Sequence, residues 1–358
     1  NLGAIIANWR YIDSLSSATT TTAAMVKANG YGLGAKNVAE ALANAGCTEF
    51  FVANLGEAIT LRQHLDERGH KQLHIMTLHG CQRDGLDDHI AFRITPVLND
   101  LEQLSRWRMC SQQRSDSLPA LLHIDTGMNR LGFDADQINW LIENKPALDG
   151  IECRYLMSHL VSAEIADDPT NATQLAGFNE WRRCFPGMPA SLANSAGSML
   201  SPDYHFQMTR PGIALYGADP ADQPTDKLMR VVTWQARIIQ LRQAKAGDRV
   251  GYGGTHLLDR PSRIATIGVG YADGYNRKLG GKASVLIGPQ TAPVIGRVSM
   301  DSITVDVTDI DPAHLQHGFV ELLHDDCDLS RMAGDAETIA YEILTRLGTR
   351  PSRQYKNS

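Results

Sequence analysis

Up to Leu215 the chain alternates between two textures. Short apolar, β-type runs fall at Ala23–Ala28, Phe50–Ala53, Leu73–Leu78, Ile94–Leu98, Ala120–Asp125, Ile151–His159, Ser191–Asn194 and Gln207–Arg210. Between most of them apolar residues recur at helical spacing: Val38-Ala39-Leu42-Ala45, Ala58-Leu61-Leu65, Leu101-Leu104-Trp107, Ile138-Leu141-Ile142 and Leu175-Phe178-Trp181. A stripe of period 3.6 buries one helix face, and a strand covered on both faces reads as a continuous apolar run. Strand–helix repetition at about 20 to 35 residues predicts parallel βαβ units. Eight such strands suit a (β/α)8 barrel of the TIM type. A doubly wound sheet carries the same texture, and periodicity does not choose between the two.

The texture changes at Ala218–Thr225, a Pro/Asp-rich linker. Beyond it lie strand-like runs at Val231–Leu241, Arg263–Val269, Ala283–Ile287, Val294–Val298, Ser302–Val307 and Phe319–Leu323, with only Glu337–Arg346 reading as a helix. The chain is therefore α/β in its first part, followed by a mostly-β C-terminal domain. The division is drawn at 8–222 and 223–358, with residues 1–7 expected to pair with the β domain.

Composition narrows the class. With 358 residues, 43% hydrophobic and 21% charged, the chain has ample material for buried cores and is not disordered. Lys and Arg number 34 against 40 Asp and Glu, a net charge of −6, which is not the footprint of a nucleic-acid or membrane-surface binder. No apolar run approaches the 18 or so residues of a transmembrane helix. The six cysteines, Cys47, Cys81, Cys110, Cys153, Cys184 and Cys327, are too widely spaced for a zinc motif, so no metal site is expected. A chain this long needs no disulfide framework, and the reading is an intracellular enzyme. It opens on Asn1 rather than Met, so a removed leader stays open.

Two readings compete at Met25-Val26-Lys27-Ala28-Asn29-Gly30-Tyr31-Gly32-Leu33-Gly34-Ala35. Gly30–Ala35 matches the dinucleotide fingerprint, but the next strand ends at Asn54, where a ribose-binding acid would be required. The alternative centres on Lys27. Taken alone, a lysine at a strand end is commonly a solvated surface residue. In a barrel, however, that is where catalytic groups sit, and a lysine buried there must lose its charge or bond a carbonyl. The adjacent glycines and Tyr31 suggest a backbone shaped around a phosphate.

The segment Val26-Lys27-Ala28-Asn29-Gly30-Tyr31-Gly32-Leu33-Gly34 resembles the pyridoxal-phosphate lysine segment of alanine racemases. Seven further segments are similar to that family's motifs in the same order: His123–Gly132 around Asp125-Thr126-Gly127-Met128, Ser158-His159, Asn194-Ser195-Ala196, Arg210-Pro211-Gly212-Ile213-Ala214-Leu215-Tyr216-Gly217, Val250–Thr255, Gly270–Tyr275 and Gly296–Asp301. The resemblance spans nearly the whole chain. It implies the TIM-type barrel plus β domain, and a cytoplasmic homodimer with shared active sites that supplies D-alanine for the cell wall.

The resemblance also implies roles. Lys27 holds pyridoxal 5'-phosphate covalently and is one acid/base group; Tyr252, reaching in from the other subunit, is the second. Racemisation needs a proton removed from one face of Cα and returned on the other, so a base on each side is the natural solution. Ionising a free tyrosine at neutral pH costs about 4 kcal/mol, which a nearby cation offsets; the implied relay runs through His159 to Arg210. Arg210 faces the pyridine nitrogen, where a guanidinium can only donate, and this weakens the ring as an electron sink. Tyr31, Ser195 and the backbone of Gly212 and Ile213 receive the phosphate. Arg130 and the backbone near Met300 receive the substrate carboxylate, and Tyr271 with Tyr252 narrows the entrance. Tyr216 and Tyr275 are read as packing residues.

Two positions depart from the family pattern. Many members carry a carbamylated lysine where this chain has His123, and some place a phosphate-binding tyrosine where it has Thr349. Serine and broad-specificity racemases stay open as alternatives. A non-catalytic vitamin-B6-binding barrel would lack the Val250–Thr255 segment, and a decarboxylase of related fold would carry a carboxylate in place of Arg210.

Overall fold

Parallel strands covered on both faces leave little room for polar residues, and the first half of the chain follows that rule. The computed structural model describes residues 1–221, 226–324 and 328–357. Its strands are β1 (Thr21–Thr22), β2 (Ala24–Met25), β3 (Glu49–Val52), β4 (His74–Thr77), β5 (Ile94–Leu98), β6 (Leu118–His123), β7 (Ile151–Met157), β8 (Ala190–Ser191) and β9 (Met208–Thr209). Every residue of β3 and β5 is buried, hence their unbroken apolar runs. Glu49 is their one charged residue, paired with Arg154 at 3.3 Å.

Neighbouring strands pair in parallel from β2 through β9. Only Ala23 separates β1 from β2. Thr21 and Thr22 pair with β9 while Ala24 and Met25 pair with β3, and Met25 N–H still donates to Pro211 O at 3.0 Å. The two stretches thus act as one strand bonded on both sides, and the sheet closes as a barrel of eight positions. Helices Ala35–Asn44, Leu55–Glu67, Leu101–Arg114, Ala135–Glu143 and Pro169–Cys184 follow strands on its outside, as the apolar spacing predicts. Because all strands run the same way, their C-terminal ends open onto one face, where barrels build their sites.

Residues 1–7 make one backbone bond to the C-terminal end of the chain, Leu2 N–H donating to Lys356 O at 2.7 Å. They belong to a helix, Leu2–Ser14, whose buried Leu2, Ile5, Trp9 and Ile12 recur at helical spacing, and Trp9 Nε1–H donates to Thr22 O at 3.0 Å. This helix is part of the first compact unit, residues 1–230 together with the chain end from Lys356; residues 231–355 form the second. The expected division at 222/223 lies outside the described residues, as does Cys327. The other five cysteines are free thiols.

The second unit is a closed antiparallel barrel. Its strands are β10 (Trp234–Ala244), β13 (Ser262–Ile267), β14 (Ser284–Ile287), β15 (Gln290–Ile295), β16 (Ile303–Asp306) and β17 (Phe319–Leu323), in the ring order β10-β13-β16-β15-β14-β17. Closure depends on the long β10, which pairs through Trp234–Arg237 with β17 and, past a register shift at Ile238/Gln240, with β13. A small ladder, β11 (Arg249–Val250) with β12 (His256–Leu257), interrupts the ring sequence. The helix expected over Glu337–Arg346 is shorter, Ala340–Thr345, and a second lies before it at Leu329–Asp335. Glu337 separates them in a left-handed conformation at φ +55°. No described helix is long and apolar enough to cross a membrane.

Candidate active site

Lys27 follows β2 by two residues, at the C-terminal rim of the first barrel. Ala28, Asn29, Gly30 and Tyr31 come next with φ of +51°, +55°, +62° and +52°, a full turn of left-handed helix. Only glycine adopts this region freely; each of the other three costs about 1–2 kcal/mol. Gly30 is needed for a second reason, since a Cβ there would stand 3.0 Å from the backbone of Ala35. Asn29 Oδ1 accepts from Ala35 N–H at 3.1 Å, and Tyr216 Oη donates to Met25 O at 2.9 Å while its ring stacks on Tyr31 at 4.5 Å. Tyr216 therefore packs, as expected, and also braces the strand end that carries Lys27.

Around Lys27 the structure gathers four side chains from three other strand ends: His123 closing β6, Arg130 in the loop beyond it, His159 after β7 and Arg210 after β9. Burial lowers the pKa of Lys27, and the Arg130 and Arg210 cations lower it further, against an opposing pull from Glu57. A lysine so placed holds its amine in the neutral form more readily than a solvated one. Burial and the same two arginines hold His159 well below its ordinary range.

Arg210 is buried and fully committed on one edge. Its Nη2 donates to Ser158 O at 2.6 Å and to Leu192 O at 3.4 Å, and its Nη1 donates to Ser191 Oγ. Burial pushes its pKa down to about 10, so it stays a cation at neutral pH. Its Nε–H has no acceptor among the described residues.

His123 is buried as well, and its tautomer can be assigned. Asn99 Nδ2 donates to Leu78 O at 3.0 Å and Val97 O at 2.9 Å, so Asn99 Oδ1 is the acceptor in its 2.8 Å contact with His123 Nδ1. The proton is on Nδ1 and Nε2 keeps a lone pair. Burial, then Arg210, pushes the His123 pKa down to about 3, so the ring is neutral. The loop bearing Arg130 is pinned by Asp125, whose carboxylate accepts N–H bonds from Gly127, Met128 and Asn129 at 2.8–2.9 Å.

Opposite the left-handed turn, Ser195 Oγ accepts from Gly212 N–H at 2.7 Å and from Ala214 N–H at 3.3 Å. A Cβ on Gly212 would collide with the Tyr31 hydroxyl. Two hydroxyls and the backbone N–H groups opening the turn Ile213–Tyr216 thus converge on one point, an arrangement suited to phosphate. Among the described residues no cluster of His, Cys, Asp or Glu could hold a metal ion.

The second unit carries the other three expected residues. Tyr252 opens a turn between β11 and β12 in which Gly251, Gly253 and Gly254 all have positive φ. Tyr271 and Met300 are brought together: Tyr271 N–H donates to Ser299 O at 3.1 Å and Ala272 N–H to Met300 O at 3.0 Å. A Cβ at Gly270 would collide with Met300 O, so that approach requires glycine. Exposure is high for these residue types: 70% for Tyr252, 44% for Tyr271 and 53% for Met300.

Sequence reasoning missed Glu57, Asn99 and Ser191 and gave Ser158 no role beyond its motif; all four touch the site only through other residues. Asn54-x-x-Glu57 was a visible capping signal, with Asn54 Oδ1 accepting from Glu57 N–H at 3.0 Å.

A closed parallel barrel with a partly desolvated lysine beside a phosphate-shaped cradle, joined to a β-barrel unit, defines a two-domain enzyme of the pyridoxal-phosphate-lysine class. Residues 1–220 match the alanine racemase N-terminal domain and residues 231–355 the alanine racemase C-terminal domain. The chain belongs to the alanine racemase family. It is 44% identical over 358 residues to an alanine racemase of Brucella suis, covering 94% of this chain and 88% of that one. With one of Rickettsia rickettsii it is 39% identical, covering 99% and 97%. The crystal structure of a Bartonella henselae alanine racemase with covalently bound pyridoxal phosphate superposes with a TM-score of 0.93 at 38% identity, covering 99% of this chain and 98% of that one.

Proposed function

We propose that this chain interconverts L- and D-alanine with pyridoxal 5'-phosphate, using Lys27 of one subunit and Tyr252 of a second copy as its two proton carriers. The observation that carries the reading is the buried Lys27 amine, its pKa lowered by burial, at the rim of a barrel whose phosphate-shaped cradle lies on the same rim. The residues present fit the cofactor. Lys27 would hold it covalently; Tyr31, Ser195, Gly212 and Ile213 would bind its phosphate; the Arg210 Nε–H would donate to its ring nitrogen. When bound, pyridoxal phosphate supplies an electron-withdrawing ring that makes the substrate Cα–H acidic.

The chain's own groups do the rest. The Lys27 amine takes or returns the Cα proton on one face, and the Tyr252 oxygen does so on the other. Arg210, a cation at neutral pH, stabilises negative charge developing on the relay through His159. Arg130, held on its pinned loop, receives the substrate carboxylate together with the backbone near Met300. Tyr271 and Tyr252 narrow the entrance to a small side chain, which favours alanine over serine by a modest margin, since a pocket of this kind discriminates a methylene-sized difference by about 1–3 kcal/mol. The exposure of Tyr252, Tyr271 and Met300 supports a homodimer in which each copy completes the other's site. We place the enzyme in the cytoplasm, making D-alanine for peptidoglycan.

Mixing Lys27→Ala with Tyr252→Phe tests this directly. Each variant alone has no intact site, whereas a hybrid dimer has one of two. After subunit exchange the mixture is expected to recover roughly one quarter of wild-type activity, because half the dimers are hybrids. No recovery, with hybrids verified, rejects the shared site.

A further inference from the structure

Glu57 sits in the first turn of the helix Leu55–Glu67, and its two carboxylate oxygens are divided between two strand ends. Oε1 accepts from Ala28 N–H at 2.6 Å and Oε2 from Ala53 N–H at 2.8 Å. Ala28 directly follows Lys27 and opens the left-handed turn; Ala53 directly follows β3, the strand paired with β2. The last ladder bond between these strands, Val26 N–H to Phe51 O at 2.9 Å, lies just before both positions. The carboxylate thus continues the pairing where the backbones part. Asn54 anchors the start of the side chain through its bond to Glu57 N–H.

Two physical needs meet at this point. Three L-residues in a left-handed turn do not stay there unaided, so an outside partner must hold the turn. In addition, among the described residues the charges acting on Lys27 are those of Arg130, Arg210 and Glu57, of which Glu57 alone is acidic, and burial lowers the pKa of His159 beside them.

We propose that Glu57 is a positioning residue: its paired backbone hydrogen bonds hold the turn that aims Lys27, and its charge governs when that amine becomes reactive. The inference rests on Lys27 being the cofactor lysine. A glutamine at 57 keeps the shape but loses the charge, and its amide nitrogen cannot accept the second N–H. An aspartate keeps the charge on a shorter arm.

The test uses the full chain, freed of cofactor with hydroxylamine and then given pyridoxal phosphate across a range of pH. Covalent uptake at Lys27 is trapped with borohydride and read by peptide mass. Amide hydrogen exchange is followed in the peptides containing Ala28 and Ala53. For Glu57→Gln, exchange in both peptides is expected to quicken about tenfold or more, the loss of a charged hydrogen bond. The midpoint of uptake against pH is expected to move downward, because a lysine without its anion sheds its proton sooner. For Glu57→Asp, exchange quickens while the midpoint stays near wild type. A Glu57→Gln chain that coincides with wild type in both readouts overturns the proposal. So does one that loses uptake equally at every pH, as a merely misfolded turn would. If the wild-type Lys27 peptide itself takes up no cofactor, the assignment of Lys27 fails instead.

Discussion

Arg210 shows how a single side chain becomes both structural and chemical. Three acceptors on neighbouring strand ends, Ser158 O, Ser191 Oγ and Leu192 O, fix its guanidinium in a forked geometry that an ammonium cannot reproduce. Arg210→Lys is therefore expected to destabilise the chain by roughly 1–3 kcal/mol through unpaired buried acceptors, measurable by urea unfolding, and to reduce activity as well. His123 works differently. Its neutral ring, with the proton placed on Nδ1 by Asn99, offers Nε2 only as an acceptor in a region populated by cations. Tyr252 is expected to behave as a one-sided proton carrier. Tyr252→Phe should lower turnover by about 10²–10⁴-fold, and solvent-deuterium incorporation at Cα should fall more steeply from the L enantiomer than from the D enantiomer; unchanged turnover would end the two-base scheme.

Among the elements, loops do the arranging and strands the supporting. In the second unit, Arg350 clamps the segments that carry Tyr271 and Met300. Its Nε and Nη2 donate to the two oxygens of Asp273 at 2.8 and 2.7 Å, and its Nη1 donates to Asp301 at 2.6 Å. Asp273 also accepts from Gly270 N–H at 2.9 Å, and its carbonyl accepts from Gly348 N–H at 3.0 Å. One side chain thereby sets the register of three loops. Arg350→Ala is expected to raise KM for alanine several-fold while changing kcat less, because it would loosen the segments we propose to contact substrate without touching the proposed proton carriers. A fall in kcat alone would refute that role. In the first unit the left-handed turn is the comparable device, and Gly30→Ala, with φ at +62° and Ala35 close by, should reduce cofactor retention and lower the melting temperature.

For the whole molecule, the buried histidines set an acid limit. The folded-state pKa of His123 lies at about 3, below an ordinary histidine, and that of His159 is lowered too. The unfolded chain takes up these protons as pH falls below about 6.5, whereas the native fold does not. Their stabilising contribution is thus full above that value and is lost as pH falls towards the folded-state pKa. The slope for His123 is about 1.4 kcal/mol per pH unit, so unfolding free energies measured from pH 7 to pH 4 should decline and His123→Asn should flatten the decline. Association acts at the same scale. If second copies cover the exposed aromatic surface, specific activity should drop on dilution and return on concentration.

Strand and helix positions could be read from the chain because each depends on its own residues. An apolar run or a period-3.6 stripe reports local burial whatever the neighbours are, and the helix at Leu2–Ser14 was overlooked although its Leu2-Ile5-Trp9-Ile12 stripe was present. Collinear motifs likewise marked Lys27, His159 and Arg210, whose residue types are dictated by chemistry. Barrel closure through the interrupted β1–β2 strand, the handedness of the turn after Lys27, the tautomer of His123 and the double grip of Glu57 were settled only in three dimensions. Each depends at least in part on hydrogen bonds between residues far apart in sequence, such as His123 with Asn99 and Tyr216 with Met25. No local pattern encodes which backbone groups will lie within 3 Å once the strands have closed.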